Sequence, residues 1–325
     1  MHYTMDWQIT IGRYQLALLD SVEIVKSVDA LADTCQIVLP LYAYNQALRV
    51  EQQLKRGDSV TVLLGYDGKL VREFEGFLLA ITTDDGHLKL TCEDGLYLLR
   101  KPIPNKQLLG AAVADVAAYV LANTNSSIAL NCGLKAPGFY EKFVVDKATG
   151  YDVLKKLQDE TKANIYMRWL ATQGQWQLNI HPLYAQQHGQ VKLSLQHNVE
   201  QAALSYKMAD DKKLEVVVTN TGPNGKKRSQ RYGTTGGDKL ELEAHGLSPE
   251  AMAQRAKSQH LQNVYDGYEG DLTTWLIPVV EPGYSVEVID EDFEYKNGRY
   301  YAKAVTTSFS KDGGSRKIEL GIKLQ

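Results

Sequence analysis

The run from Arg56 to Lys101, RGDSVTVLLGYDGKLVREFEGFLLAITTDDGHLKLTCEDGLYLLRK, reads as four short strands followed by a closing helical turn. In the first strand Val60, Val62 and Leu64 alternate with Ser59, Thr61 and Leu63. The second carries Val71, Phe74 and Phe77 among charged neighbours, and the third carries Leu79 and Ile81. The fourth alternates Leu88, Leu90 and Cys92 with Lys89, Thr91 and Glu93. Alternation of period two over so few residues is the pattern of a half-buried strand. Asp67-Gly68 and Asp85-Gly86 separate the runs, and both are hairpin dipeptides that accept positive φ. Residues 56–93 are therefore expected to form an antiparallel meander with one buried face.

The same alternation extends toward the N-terminus. Trp7, Ile9 and Ile11 form one set, Val22 and Ile24 a second, and Cys35, Ile37 and Leu39 a third. Residues 42–54, with Ala43, Ala47, Leu48 and Leu54, suit a short helix or a long loop. With the meander, these strands make barrel or sandwich material.

Lys101-Pro102-Ile103-Pro104 marks a boundary, because neither proline continues a regular element. Beyond it Leu109, Val113, Val116, Ala117, Val120 and Leu121 recur at helical spacing and predict an amphipathic helix. A second helix is expected from Thr149, which pairs with Asp152 as a capping box, and it should bury Tyr151, Leu154 and Leu157. Two alternating runs follow, Ile165 to Trp169 and Trp176 to Ile180, joined at residues 172–175 as a hairpin. Residues 103–190 thus read as a small α+β domain.

Strands return at Val191. Leu193 and Leu195, then Ala203, Ser205 and Lys207, then Leu214, Val216 and Val218 each mark one face. A basic hairpin tip spans Thr221 to Arg228, and Ser248-Pro249-Glu250 is a well-formed helix start. The last strands are expected at 267–272, 285–289, 299–308 and 316–323, with hairpin turns at Asn297-Gly298 and at residues 312–314. The reading is a β-rich α+β chain. Two antiparallel β domains, 1–102 and 191–325, the second with an inserted helix, flank the α+β domain.

The totals exclude several classes. An apolar fraction of 44% with 23% charged residues is that of a globular protein with ample core. A net charge of −3 gives no global attraction to nucleic acid or membrane. Residues 1–12 have neither a basic start nor a long apolar stretch, and no window has the roughly 18 apolar residues of a membrane span. Cytoplasmic synthesis without a signal peptide is therefore expected. Cys35, Cys92 and Cys132 have no metal or disulfide spacing, and the first two sit in apolar strand patterns as buried thiols. Tyrosines number 19 against 6 phenylalanines, which suits half-wet strand faces and interfaces.

No catalytic constellation emerges, and neither cofactor nor metal is expected. The seven histidines form no i, i+3 or i, i+4 pair, and His181 and His188 lie seven apart across a loop. No nucleophile elbow or phosphate loop occurs. The acidic run Asp290-Glu291-Asp292 is the one place for a carboxylate pair, although such runs in connecting loops are usually solvated. Lys226, Lys227 and Arg228 are expected at an exposed tip, and Tyr265, Tyr268, Tyr300 and Tyr301 as subunit or partner contacts. The chain offers surfaces rather than a pocket.

The order of elements resembles the late control protein D family of phage tail baseplate hub proteins, which is related to the N-terminal part of type VI secretion spike proteins. The resemblance rests on Gly57-Asp58, Gly65-Tyr66-Asp67-Gly68, Phe74-Glu75-Gly76 and Glu93-Asp94-Gly95-Leu96 in the first part. In the middle part it rests on residues 142–145 and on the helix 150–157. In the last part it rests on the helix 249–261, Tyr268 to Asp271, residues 280–283 and Gly298 to Tyr300. It implies two β-barrel domains and a homotrimer forming a pseudo-sixfold ring. Such a ring adapts a hexameric tail tube to a trimeric central spike in a phage tail or contractile injection system. Partners would be the tube protein, a separate spike protein, since this chain ends at Gln325 with no needle, and other baseplate proteins. DNA would at most pass through the lumen, and no enzymatic activity is carried over. Two alternatives remain at this level: a cell-wall or polysaccharide hydrolase acting through Asp290, Glu291 or Asp292, and a carbohydrate-binding adhesion module using its tyrosines.

Overall fold

The computed structural model describes residues 4–324 except 44–45, 48–51, 85, 134–138, 185–188 and 222–225. Parts of the expected 42–54 helix or loop, Asp85 of the second hairpin dipeptide, His188 and the centre of the basic tip lie outside the described residues.

The first part contains β1 (Met5–Ile11), β2 (Tyr14–Gln15), β3 (Ser21–Ser27), β4 (Thr34–Pro40), β5 (Tyr42–Ala43), β6 (Gln46–Ala47), β7 (Ser59–Tyr66), β8 (Lys69–Asp84) and β9 (His87–Glu93). The alternating sets fall on one face. Ile9, Ile11, Val22, Ile24, Ile37, Val60, Val62, Leu64, Leu88 and Leu90 fill a common core. Short strands β5 and β6 pair with each other, in a segment expected as helix or loop. The four-stranded meander is corrected to three strands, because the expected second and third runs are the single strand β8. Gly76 does not end a strand; a Cβ there would lie 2.2 Å from the Glu93 carbonyl, so glycine permits a close approach inside the ladder. Register shifts at Val62/Leu63 and at Leu78/Ala80 reset the alternation. Phe74 and Leu78 are therefore buried while Val71 is exposed. The closing turn is a 3-10 helix, Gly95–Leu99, whose Leu96 N–H donates to the Asp94 carboxylate.

The middle part contains β10 (Lys106–Ala112), α1 (Val113–Thr124), β11 (Ala129–Cys132), β12 (Phe139–Val145), α2 (Gly150–Thr161), β13 (Ala163–Leu170) and β14 (Gln175–Pro182). The first helix starts at Val113 rather than near Leu109, which stands 68% exposed in β10. Gly110, at φ +57°, is in the left-handed region, and the Ala112 N–H donates to Asp115 at 2.8 Å, fixing the helix start. The capping box of α2 forms as expected, with the Thr149 N–H donating to Asp152 at 2.9 Å and the Asp152 N–H to Thr149 Oγ1 at 3.2 Å. β13 and β14 make the expected hairpin, and β11 adds to it in parallel.

The last part contains β15 (Gln190–Ser194), β16 (Gln201–Lys207), β17 (Leu214–Thr221), β18 (Lys227–Gly233), β19 (Asp238–Ala244), α3 (Pro249–Asn263), β20 (Gly267–Trp275), β21 (Ser285–Ile289), β22 (Gly298–Ser310) and β23 (Gly313–Leu324). Ser248 caps α3 by accepting from Ala251 N–H. Asn297-Gly298 is not a tight turn, because residues 290–297 form a longer connection in which Asn297 accepts from Asp290 N–H at 2.6 Å.

A 13-stranded sheet, ordered β16-β20-β23-β22-β3-β4-β9-β8-β7-β1-β2 with β15 and β21 attached, unites the two ends of the chain. The joint is β22 against β3, from Ala304 opposite Ser27 to Ser310 opposite Ser21. Leu193, Leu272, Val286, Val288 and Ile318 form the core of its last strands. A third core lies under α1 and α2. It also takes in Val216, Val218, Leu247, Met252 and Ala256, so the small sheet β18-β17-β19 and α3 pack with the middle part.

Candidate functional site

The three parts meet at a charged seam. Arg316 on β23 is 1% exposed and Glu73 on β8 is 4% exposed, and they form a two-pronged ion pair. Arg316 Nη2 donates to Glu73 Oε1 at 2.8 Å and Nη1 to Oε2 at 3.1 Å. The same guanidinium donates to Thr307 Oγ1 at 2.9 Å and to the Leu276 carbonyl at 3.0 Å. A planar, permanently charged fork is the group suited to this geometry.

Beside the pair lies a cavity of about 190 Å³ lined by Lys26, Asp33, Glu73, Asp94, Arg168 and Glu281, among others. Lys26 Nζ is 3.2 Å from Glu281 Oε1. Burial alone would lower the Lys26 pKa, yet Glu281, with Asp33 and Glu73, holds it above its usual value. Reciprocally, Lys26 holds Glu281 below the usual carboxylate range. Burial pushes Asp33 up to about 6, and burial together with the Asp33 charge pushes Asp94 well above its ordinary value. Two raised carboxylates side by side invite an acid–base reading. The Asp94 oxygens are otherwise engaged, accepting from Leu96 N–H at 3.0 Å and from Asp33 N–H at 3.4 Å. The two ion pairs fasten the first part of the chain to the last.

Three of the four tyrosines expected at contacts are inside the protein, which corrects that expectation. Tyr268, Tyr300 and Tyr301 are 5%, 0% and 1% exposed. Their hydroxyl or ring edges find internal partners. The Tyr268 hydroxyl donates to Asp290 Oδ2 at 2.9 Å, the Tyr300 hydroxyl accepts from Tyr268 N–H at 3.1 Å, and Tyr301 meets Tyr184 edge-on at 4.8 Å. Tyr265 is half-buried, with Lys207 Nζ 5.0 Å from its ring centre. Lys226, Lys227 and Arg228 are exposed, and Arg228 reaches Glu141 at 3.0 Å.

The acidic run is also used internally. Asp290 is buried and accepts from Gln196 Nε2 at 3.2 Å, Asp292 N–H at 3.1 Å and Phe293 N–H at 3.2 Å, besides Tyr268. Burial pushes its carboxyl up, but these hydrogen bonds outweigh it and leave the pKa below the ordinary range. Glu291 lies 2.8 Å from His197 Nε2, and Asp292 accepts from Gln196 at 3.3 Å. The run fastens the loop after β21 to the turn after β15. Cys35 and Cys92 are free and buried, and they face each other across β4 and β9. Burial raises both thiols, Cys92 to about 12. Among the described residues no group of three or more His, Cys, Asp or Glu could hold a metal ion, and no helix is long and apolar enough to cross a membrane.

Sequence reasoning missed the Glu73–Arg316 pair. The partners are 243 residues apart, and each stands among other charges, Arg72 and Glu75 or Lys317 and Glu319, so no local signal singled out either.

No family model and no curated protein matches the sequence. Solved structures do match its fold. A tail protein from Neisseria meningitidis MC58 superposes with a TM-score of 0.66 at 17% identity, over 98% of this chain and 97% of that one. The 43 kDa tail protein of prophage MuSo2 from Shewanella oneidensis gives 0.65 at 14% identity, over 97% of each chain. The E. coli c3393 protein is a component of the type VI secretion system with structural similarity to the T4 tail proteins gp27 and gp5. It gives 0.64 at 12% identity, over 98% of this chain and 77% of that one. The fold of this chain is the fold of these tail proteins.

Proposed function

We propose that this chain is a structural baseplate hub of a phage tail or phage-like contractile injection system. Three copies form a pseudo-sixfold ring in which the β-rich parts, 1–102 and 191–325, act as two barrel-like units around the α+β part, 103–190. The ring adapts a hexameric tail tube to a trimeric central spike supplied by a separate chain. On this reading the protein is made in the bacterial cytoplasm and assembled into the particle, beside other baseplate proteins and with no catalytic role.

The observation that carries the reading is the match in fold to two tail proteins along nearly the whole length of both partners. The buried chemistry agrees with it. Glu73–Arg316, Lys26–Glu281 and the Asp290 cluster tie parts of the chain together, as a load-transmitting piece requires.

Light scattering after size exclusion tests the proposal. The expected mass is near three times 36.3 kDa, with ring-shaped particles in electron micrographs. A protein that stays monomeric at high concentration, and still does so with tube and spike proteins added, would overturn it.

A further inference from the structure

The small sheet β18-β17-β19 has two outer edges with no strand partner among the described residues, each seven residues long. Its middle strand is covered, with Leu214 to Val218 all buried, whereas β18 and β19 are largely exposed. Long unpaired edges are templates for another strand, and proteins usually blunt them with charge. Here the two edges carry opposite charge.

β18 holds Lys227, Arg228 and Arg231, with Lys226 just before it. β19 holds Asp238, Glu241 and Glu243 beside the single cation Lys239. Register through β17 places Arg231 and Glu241 on either side of Val217, and Ser229 and Glu243 on either side of Thr219. One face of the sheet therefore changes sign over two strand spacings, roughly 10 Å. Part of the basic charge is answered within the chain, Arg228 by Glu141 and Arg231 by Glu215 at 3.7 Å. Lys226, Lys227, Asp238, Glu241 and Glu243 make no ion pair among the described residues.

Like edges brought together would repel, whereas β18 against β19 of another molecule places cations opposite anions. The strand directions agree. β18 is antiparallel and β19 parallel to β17, so the two edges run oppositely. A second copy related by rotation about an axis along the strands presents β19 antiparallel to β18. Contact between two different surfaces of one chain is the kind that closes into a ring.

We propose that the basic edge of β18 in one copy docks on the acidic edge of β19 in the next, so that this sheet continues from subunit to subunit. The proposal rests on the ring-forming reading above and names one surface through which the ring closes.

The test uses sedimentation velocity on the full chain at low and high salt. One variant carries Lys227→Glu and Arg231→Glu, a second carries Glu241→Lys and Glu243→Lys, and a third combines all four. Each pair reversal is expected to weaken self-association at least tenfold and to reduce its salt dependence in sign or size. The combined variant restores association, because both edges are then swapped. The changes are at exposed positions, and circular dichroism together with the melting temperature verifies that each variant is folded. A wild-type oligomer indifferent to either reversal overturns this interface and leaves the hub reading standing. Loss in both pair variants without recovery in the combined one, with the fold intact, overturns the edge pairing. A wild-type chain that stays monomeric at high concentration, alone and with tube and spike proteins added, removes both.

Discussion

Arg316 and Glu73 lie 243 residues apart in sequence yet form a two-pronged ion pair with almost no solvent exposure. Through Thr307 and the Leu276 carbonyl, the guanidinium also grips the last strands of the sheet. Removing one partner leaves a buried charge unanswered, which typically costs about 3–5 kcal/mol. Glu73→Gln and Arg316→Met should each lower the unfolding free energy by about that amount, read by chemical denaturation. Glu73→Leu combined with Arg316→Met should cost clearly less than the sum, since no lone charge remains. Additive losses would show that the two residues do not act as a pair.

Asp33 gives the protein a particular pH response. Its pKa in the folded chain, about 6, lies above the ordinary 3.8, so the folded state holds the proton more tightly than the unfolded state. The stability that protonation provides is fully present below the unfolded value and is lost as pH rises through about 6. Denaturation midpoints should therefore decline as pH rises from the ordinary 3.8 to about 6 and level off above it, and Asp33→Asn should remove much of that decline. Glu281 works the other way, because Lys26 holds it low and its contribution fades only toward acid. A variant curve parallel to the wild type across this range would sink the assignment to Asp33.

The cysteines should report packing. Cys35 and Cys92 are buried, and both thiols are pushed up by burial, so neither offers a reactive thiolate. Cys132 is half-exposed. A disulfide reagent applied to native protein should modify Cys132 alone, with Cys35 and Cys92 reacting only on unfolding. Fast native labelling of either would contradict the burial of the β4–β9 face.

How far the fold was legible depended on the range of the interactions. The alternating sets in β1, β3, β4, β7 and β9, the Thr149–Asp152 capping box and the Ser248 cap are local patterns, and each formed where the residues indicated. β8 was misread as two strands because Val71, Phe74 and Phe77 do not keep the period-two spacing of Leu79 and Ile81, while the register shift at Leu78/Ala80 resets the alternation inside one continuous strand. Leu109 fits the helical spacing of Val113 and Val116, but Gly110 ends that run one residue later. The parallel pairings β11–β14 and β17–β19 join segments distant in sequence and leave no local mark. For the tyrosines, the ring suits an interface or a core equally well. For Tyr300 only the three-dimensional position of Tyr268 N–H decides.

The Tyr268–Asp290 hydrogen bond gives the acidic run a structural task. Asp290 accepts from the Tyr268 hydroxyl, Gln196 and two backbone N–H groups, which hold its carboxyl below the ordinary range. With a lowered pKa, its stabilising contribution is present above the unfolded value and is lost as pH falls through the folded one. Tyr268→Phe leaves a buried acceptor short of one donor and should cost about 1–3 kcal/mol. Asp290→Asn should destabilise in the same direction, and the double variant should lose less than the sum, because the two groups share one bond. Neither substitution should change the mass of the assembled protein, since Tyr268 is inside the chain. A hydrolytic centre at Asp290 would behave differently: Asp290→Asn would abolish cleavage of peptidoglycan or polysaccharide while stability stayed unchanged. Measuring both quantities on the same variant separates a fastening carboxylate from a catalytic one.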